Sequence, residues 1–170
     1  MRLNGHKNSA GRGYRHPAEL AEDLRFIWKR RSMARRRMRD LVPAAFRERL
    51  MMVVTEVNGC RYCSYSHARL ALSAGVSREE LRQLLSGTIP TDTPRDELLG
   101  LTYAQHWAES DAHPDPLMRQ KLEENYGAER AEAIHIVLHM IRIGNLLGNL
   151  WDNWLSRLSF GRLGPRREAR

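Results

Sequence analysis

The sequence predicts an all-α protein built as a single domain. Apolar residues recur at helical spacing, helix-capping residues and helix-ending glycines separate the apolar segments, and no segment alternates convincingly with a period of two. Met51 to Val54 is the only β-branched run, and helix signals surround it. At 170 residues the chain is long enough for one domain with a core and too short for two comfortable ones.

The first two predicted helices begin at prolines. Pro17 lies in the first turn of a helix that we expect to run to about Asp40, with its late arginines near the negative end of the helix dipole. Pro43 starts a second helix with a wide apolar stripe. We expect Asn58-Gly59 to end or bend this second helix.

Cap residues and glycines delimit five further helices. The clearest start is the capping box Ser77-Arg78-Glu79-Glu80, in which a serine and a glutamate satisfy backbone donors of the first turn. The predicted bounds of the five are Cys60 to Gly75, Ser77 to Gly87, Thr93 to Trp107, Asp115 to Gly127 and Ala128 to Leu158.

Charge is unevenly distributed along four predicted regions. These are a flexible basic tail (1–16), a basic N-terminal helix (17–42), a helical domain (43–160) and a second basic tail (161–170). The net charge is +8, and residues 1–49 carry 14 Lys/Arg against 5 Asp/Glu. Such basicity can bind nucleic acid or another anionic surface. No recognition motif accompanies it, so we favour a solvated arginine-rich face and expect no nucleic-acid partner.

The sequence favours a cytoplasmic protein. Met1 to Leu20 is polar and has no apolar stretch resembling a signal peptide. Ala133 to Trp151 is apolar, but histidine, arginine and asparagine interrupt it, so we expect a buried amphipathic helix and no membrane contact. Two cysteines are too few for the disulfide framework of a secreted mini-protein.

The only two cysteines, Cys60 and Cys63, form a C-x-x-C pair. In the first turn of a helix, free backbone N–H groups and the helix dipole stabilise a thiolate. Residues three apart share a helix face, so the pair can form a disulfide. His67 lies one turn after Cys63 and can reach the same face, where it can take up the thiol proton. Spacing alone leaves both Glu48 and Glu56 as the carboxylate partner of this histidine.

This region resembles the alkylhydroperoxidase D / carboxymuconolactone decarboxylase family. The signature places a glutamate twelve residues before the first cysteine, and Glu48 fills that position. The order of helices from Pro43 to Leu158 is also similar. Tyr62 occupies a position between the cysteines that can be histidine in the family. The matching segments are Phe46-Arg47-Glu48-Arg49-Leu50, Val57-Asn58-Gly59-Cys60-Arg61-Tyr62-Cys63 and, after three further residues, His67.

The resemblance implies a helical-bundle subunit that assembles through its helices into a homotrimer or homohexamer. It also implies a peroxidase that reduces hydroperoxides with no metal and no cofactor beyond a redox-active disulfide. Cys63 is then the peroxide-attacking thiol, Cys60 the resolving thiol, and Glu48 with His67 the proton relay. The expected partners are a hydroperoxide and a dithiol or lipoyl-type reductant protein. From the residues alone the order of the two cysteines stays open, since the first cysteine of many helix-start C-x-x-C pairs is the more reactive one.

Three alternatives compete with the peroxidase. A zinc site would use Cys60, Cys63 and His67 but needs a fourth ligand. A decarboxylase acting on a lactone acid, within the same family, does not need a redox pair. A redox sensor, thiol-disulfide oxidoreductase or interaction module would use the disulfide as a switch. We expect the helical pair His135 and His139 to be core residues and not metal ligands.

Overall fold

A computed structural model of the protein describes residues 11–159, and within this range every regular element is an α-helix. The all-α prediction is confirmed. The helices are α1 (Pro17–Lys29), α2 (Arg31–Arg36), α3 (Met38–Leu41), α4 (Ala44–Asn58), α5 (Arg61–Ser73), α6 (Arg78–Leu85), α7 (Arg95–Glu109) and α8 (Pro116–Leu158). The predicted C-terminal basic tail (161–170) lies outside the described residues.

The N-terminal basic region forms three short helices, where the sequence predicted one. The chain leaves helical geometry at Arg30 (φ −108°, ψ 11°) and again at Arg37 (φ −123°, ψ −24°). These two turns let α1, α2 and α3 each contact α8. Met38 is buried, and the Arg30 side chain pairs with Glu132 on α8 at 2.7 Å. Packing against α8 therefore bends a segment whose local sequence favours one continuous helix.

Residues 11–16 differ from the flexible tail predicted for residues 1–16, of which residues 1–10 lie outside the described range. Residues 11–14 are half-buried and have no regular secondary structure. Arg12 N donates a hydrogen bond to Asn58 O at 2.9 Å, and the Tyr14 hydroxyl donates to Asp23 Oδ2 at 2.7 Å. Because these contacts use backbone groups and glycines, they leave no periodic apolar pattern in the sequence.

Helix α4 lies at the centre of the bundle and contacts α5, α6, α7 and α8. Its apolar residues are buried against these helices, and Phe46, Leu50, Met52 and Val54 are fully enclosed. The helix ends where the sequence predicted, because Gly59 adopts the left-handed conformation at its C-terminus (φ 69°, ψ 33°). The turn at Gly59 delivers the chain directly into α5, whose first residues carry the cysteines.

Buried charge joins three helices on the far side of α4. Arg49 on α4 hydrogen-bonds to Glu80 on α6 and, at 3.0 Å, to Glu97 on α7. Ser77 caps α6 by accepting a hydrogen bond from Glu80 N, so this half of the predicted capping box is present.

Helix α8 is long and is interrupted once. Gly127 has non-helical geometry (φ 73°, ψ 157°), which separates the two helices predicted to meet at Tyr126-Gly127. By length and composition α8 could cross a membrane, but 61% of its most apolar 18-residue stretch is buried inside the fold. It is thus a core helix, as the sequence predicted.

Candidate functional site

The two cysteines lie at the start of α5. Cys60 is the N-cap residue, and its Sγ atom accepts a hydrogen bond from Cys63 N at 3.3 Å. The two sulfurs form a disulfide, with the Cα atoms 5.3 Å apart. The free N–H groups and positive dipole end of α5 therefore surround these sulfurs, which favours the thiolate over the thiol once the disulfide is reduced.

The two sulfurs differ in their access to solvent. Cys60 is 1% exposed, whereas Cys63 is half-buried. Gly148 on α8 packs directly against the pair, because a Cβ atom at this position would lie 3.2 Å from Cys60 Sγ and 3.7 Å from Cys63 Sγ. Gly148 was not among the site residues predicted from the sequence. A glycine inside a long helix is unfavourable, and that signal could have identified it as a site of close approach.

Glu48 and His67 form a hydrogen-bonded pair close to the cysteines. Glu48 lies on α4 and is 5% exposed, and its Oε2 atom is 2.8 Å from His67 Nδ1 on α5. The other carboxylate oxygen is 3.8 Å from Arg47 Nε. Glu56, the alternative partner, lines a small cavity beside Gly87 and Ile89 instead. The structure brings together the glutamate and the histidine that the spacing connected to the cysteines.

The geometry of this pair sets the tautomer of His67. An ionised carboxylate can only accept, so the hydrogen between Glu48 and His67 belongs to Nδ1. In the neutral ring, Nε2 then carries the lone pair and can accept a proton, with the carboxylate stabilising the imidazolium that forms. Because His67 lies one turn after Cys63 on α5, it is placed to exchange a proton with groups at that sulfur.

Several polar side chains lie between α4 and α8, close to the turn at Gly59 that precedes the cysteines. Thr55 Oγ1 donates to Asn145 Oδ1 at 3.2 Å, and both residues are fully buried. Asn149 Nδ2 donates to Asn58 O at 2.9 Å and to Arg12 O at 2.8 Å. In the sequence, Asn145 and Asn149 were predicted only to interrupt an apolar helix. Their spacing of four residues on one helix face was the signal that could have grouped them.

A second histidine–carboxylate pair lies in the interior, away from the cysteines. His139 Nδ1 on α8 is 2.7 Å from Asp23 Oδ1 on α1. Arg142 also pairs with Asp23, and Tyr14 donates to it. Burial alone would raise the pKa of Asp23, but the hydrogen bonds from His139 and Tyr14 and the charge of Arg142 outweigh it and lower that pKa.

His135, one turn before His139, is a buried histidine without a carboxylate partner among its contacts. Its Nε2 atom is 3.2 Å from the hydroxyl of Tyr103. Burial, followed by the charges of Arg119, His139 and Arg30, lowers the pKa of His135 to about 3. Within residues 11–159, no three or more His, Cys, Asp or Glu side chains cluster as metal ligands.

The fold and the site define an all-helical protein with a helix-capped cysteine pair and an adjacent glutamate–histidine pair. Residues 26–97 match the family model described as the Carboxymuconolactone decarboxylase family. The match includes Glu48, Cys60, Cys63 and His67, and it bears out the resemblance to the alkylhydroperoxidase D / carboxymuconolactone decarboxylase family that the sequence showed. Searches of curated proteins and of solved structures found no match to the chain.

Proposed function

We propose that the protein is a thiol-dependent hydroperoxide reductase. The observation that carries this proposal is the 2.8 Å pair of Glu48 and His67 one helical turn from a disulfide at the N-terminus of α5. The match to a family model whose members are enzymes, decarboxylase or peroxidase-like, supports catalysis by this chain. An intact cysteine pair with its own proton relay favours the peroxidase chemistry within that family.

The proposed reaction starts from the reduced protein. The Cys63 thiolate attacks one peroxide oxygen, so that an S–O bond forms, the O–O bond breaks and Cys63 becomes a sulfenic acid. The departing alkoxide takes a proton from the His67 imidazolium and leaves as an alcohol. Such a positioned acid contributes about 10²–10⁴-fold to the rate.

The second half of the cycle restores the disulfide and then the dithiol. The Cys60 thiolate attacks the Cys63 sulfur, an S–S bond forms, and the sulfenic hydroxyl leaves as water after protonation. An external dithiol then reduces the Cys60–Cys63 disulfide and is itself oxidised. A resolving thiol three residues away limits further oxidation of the sulfenic acid to sulfinic acid.

Exposure supports Cys63 as the attacking thiol. Cys60 is 1% exposed and faces Gly148, whereas Cys63 is half-buried and lies on the same helix face as His67. A peroxide that approaches the reduced pair, or a reductant that approaches the disulfide, therefore meets Cys63 first. This is also the assignment implied by the family resemblance.

The proposal includes a cytoplasmic location and a dithiol or lipoyl-type protein as reductant, with no cofactor beyond the two cysteines. It also includes self-association as a homotrimer or homohexamer. An exposed apolar stripe on α8, with members three to seven residues apart, is the candidate contact face. The stripe consists of Met140, Leu147, Trp151, Trp154 and Leu158.

Sedimentation velocity tests the assembly. We expect Trp151→Lys with Trp154→Lys to reduce the assembled mass to that of one chain. Leu117→Lys, at an exposed apolar position outside the stripe, should leave the mass unchanged. A single-chain mass for the unaltered protein would rule out the assembly.

A peroxidase assay tests the reaction. The protein should consume tert-butyl or cumene hydroperoxide in repeated turnovers with at least one dithiol donor. Cys63→Ser and Cys60→Ser should each abolish the steady-state rate, while Ser66→Ala, at an exposed position on α5, should retain it. A protein that is oxidised once by peroxide and does not cycle with any donor would be a redox sensor and not a peroxidase.

The printed name of the family supports one further candidate, an enzyme of the carboxymuconolactone decarboxylase kind. Such an enzyme would release carbon dioxide from a lactone acid without changing the redox state of the cysteines. Decarboxylation that persists in a Cys60→Ser, Cys63→Ser double variant would favour this candidate over the peroxidase.

A further inference from the structure

We propose that residues 11–14, here termed the strap, keep Cys60 buried and thereby assign the two cysteines different accessibilities. Asn149 on α8 is the positioning residue that connects the strap to the cysteine turn. The inference rests on the proposed function for its catalytic meaning. The contacts that carry it are independent of that function.

A group of hydrogen bonds between Arg12, Asn58 and Asn149, here termed the node, joins the strap, the turn before Cys60 and α8. Asn58 O, the carbonyl at the end of α4, accepts from Arg12 N at 2.9 Å and from Asn149 Nδ2 at 2.9 Å. Asn149 Nδ2 also donates to Arg12 O at 2.8 Å. Asn58 is two residues before Cys60, so these bonds fix the backbone that delivers Cys60 to the start of α5.

Glycines make this close approach possible. A Cβ atom on Gly11 would lie 2.4 Å from the Asn149 side chain, a distance that real contacts do not show. A Cβ atom on Gly59, which already has a left-handed backbone, would lie 3.3 Å from Gly11 Cα. The strap therefore packs backbone to backbone on the turn, and a side chain at Gly11 must move Asn149 or the strap itself.

Both ends of the strap are anchored to other helices. The Arg12 guanidinium donates to Ala108 O at 2.9 Å, at the C-terminal end of α7, where the helix dipole favours a cation. The Tyr14 hydroxyl donates to Asp23 Oδ2 at 2.7 Å. These contacts hold the strap across the turn.

The burial of the two sulfurs agrees with this role. Cys60 lies between the turn that the strap fixes and Gly148 on α8, one residue before Asn149, and is almost inaccessible. Cys63 is one helical turn further on and is partly open. Residues 11–14 and Asn149 lie outside the segment that matches the family model.

Alkylation of the reduced protein measures the accessibility of each sulfur separately. The chain is reduced, exposed briefly to iodoacetamide and digested with trypsin. Because Arg61 separates the cysteines, Cys60 and Cys63 fall in different peptides, and mass spectrometry gives each rate. We expect Cys63 to react faster than Cys60 in the unaltered protein, since only Cys63 is partly exposed.

Two variants release the node from opposite sides. Asn149→Ala removes the amide, and Gly11→Ala introduces the clash from the strap. In both we expect the Cys60 rate to rise at least about fivefold, the scale of one lost hydrogen bond of ordinary strength, with little change at Cys63. Gly144→Ala, a change on α8 more than one helical turn before Asn149, should leave both rates unchanged, because a Cβ atom on Gly144 meets no atom within 4 Å.

Selectivity separates positioning from general loosening of the fold. Equal rates for the two cysteines in the unaltered protein, unchanged Cys60 rates in both variants, or a parallel rise at both cysteines would each overturn the inference. The measurement needs no peroxide turnover. Failure of the peroxidase assay with the expected alkylation pattern would therefore reject the proposed reaction and keep the strap.

Discussion

Two histidine–carboxylate pairs in this protein have nearly the same geometry and opposite surroundings. His67 Nδ1 lies 2.8 Å from Glu48 Oε2, and His139 Nδ1 lies 2.7 Å from Asp23 Oδ1. Distance alone would assign them the same role. The difference lies in what else each carboxylate and each ring contacts.

The inner pair, Asp23 and His139, contacts several further side chains. Asp23 also accepts hydrogen bonds from Tyr14 and Arg142. The His139 ring is stacked on the Phe26 ring, with the ring centroids 3.9 Å apart, and lies edge-on to Trp107. These contacts join α1, α7 and α8, and they leave the His139 side chain 13% exposed, against 20% for His67. The outer pair, Glu48 and His67, lies one turn from Cys63. Among residues 11–159, Arg47 is the one further charged side chain within 4 Å of the Glu48 carboxylate, at 3.8 Å. A histidine–carboxylate pair can therefore serve structure or proton transfer, and the number of its additional partners distinguishes the two.

The largest expected effect is the loss of stability when the inner carboxylate is removed. Asp23→Ala leaves the buried Arg142 guanidinium without its main partner, and breaking such a pair typically costs about 3–5 kcal/mol. Urea unfolding should show this decrease in the free energy of unfolding. The rate of peroxide turnover per folded molecule should fall much less than in Glu48→Gln, because Asp23 reaches the cysteines only through its bond to Tyr14. Glu48→Gln is the matched change in the outer pair, and an equal loss of stability there would remove the distinction between the pairs.

The outer pair should show the opposite pattern. Glu48→Gln keeps the shape of the side chain but removes the charge that stabilises the His67 imidazolium. We expect turnover to fall by roughly 10²-fold, within the range for a positioned acid–base group, while the free energy of unfolding changes by about 1 kcal/mol. Steady-state kinetics and urea unfolding on the same preparation measure both. Wild-type turnover in this variant would contradict the relay.

The sequence predicted the outer pair better than the inner one for a physical reason. Glu48 and His67 lie on helices whose positions relative to Cys60 are fixed by one turn at Gly59, so linear spacing carries the geometry. Asp23 and His139 are 116 residues apart, and only tertiary packing brings them together. Asp23 also lies in a strongly basic segment, which indicated a solvated helix face.

The bounds of the helices also divide into those that the local sequence determines and those that tertiary packing determines. Those of α4 to α8 were predictable because prolines, capping residues and glycines mark them locally. The turns at Arg30 and Arg37 and the strap contacts of Arg12 were not, since packing against α8 and the cysteine turn determines them. Gly148 and Asn149 were missed for the same reason: their partners are about 90 residues earlier in the chain.

A smaller effect tests how closely the cysteines pack on α8. Gly148→Ala places a Cβ atom 3.2 Å from Cys60 Sγ, and overpacking of this kind typically costs about 1–3 kcal/mol. Gly144→Ala on the same helix meets no atom and should stabilise the protein by up to about 1 kcal/mol through helix propensity. Thermal unfolding of the oxidised forms compares them. Equal stabilisation by both changes would show that the sulfurs do not pack on α8.

His135 sharpens the comparison because it is buried beside the inner pair without a carboxylate of its own. In the unfolded chain its pKa is near 6.5, whereas in the folded protein burial, with the nearby charges of Arg119 and His139, lowers it to about 3. Between these values the unfolded state binds more protons than the folded state. Stability therefore falls as the pH drops through this window and is regained as the pH rises above 6.5.

His135→Gln should remove that component of the pH dependence. We expect the unaltered protein to lose roughly 1–2 kcal/mol more than the variant between pH 7 and pH 5, from the protons that His135 excludes when folded. Urea unfolding at the two pH values measures the difference. The lowered pKa of Asp23 acts only below the ordinary range of a carboxyl group, so it does not contribute in this window. Identical pH dependence in the two proteins would mean that His135 is protonated in the fold, and that burial without a carboxylate partner does not keep a histidine neutral there.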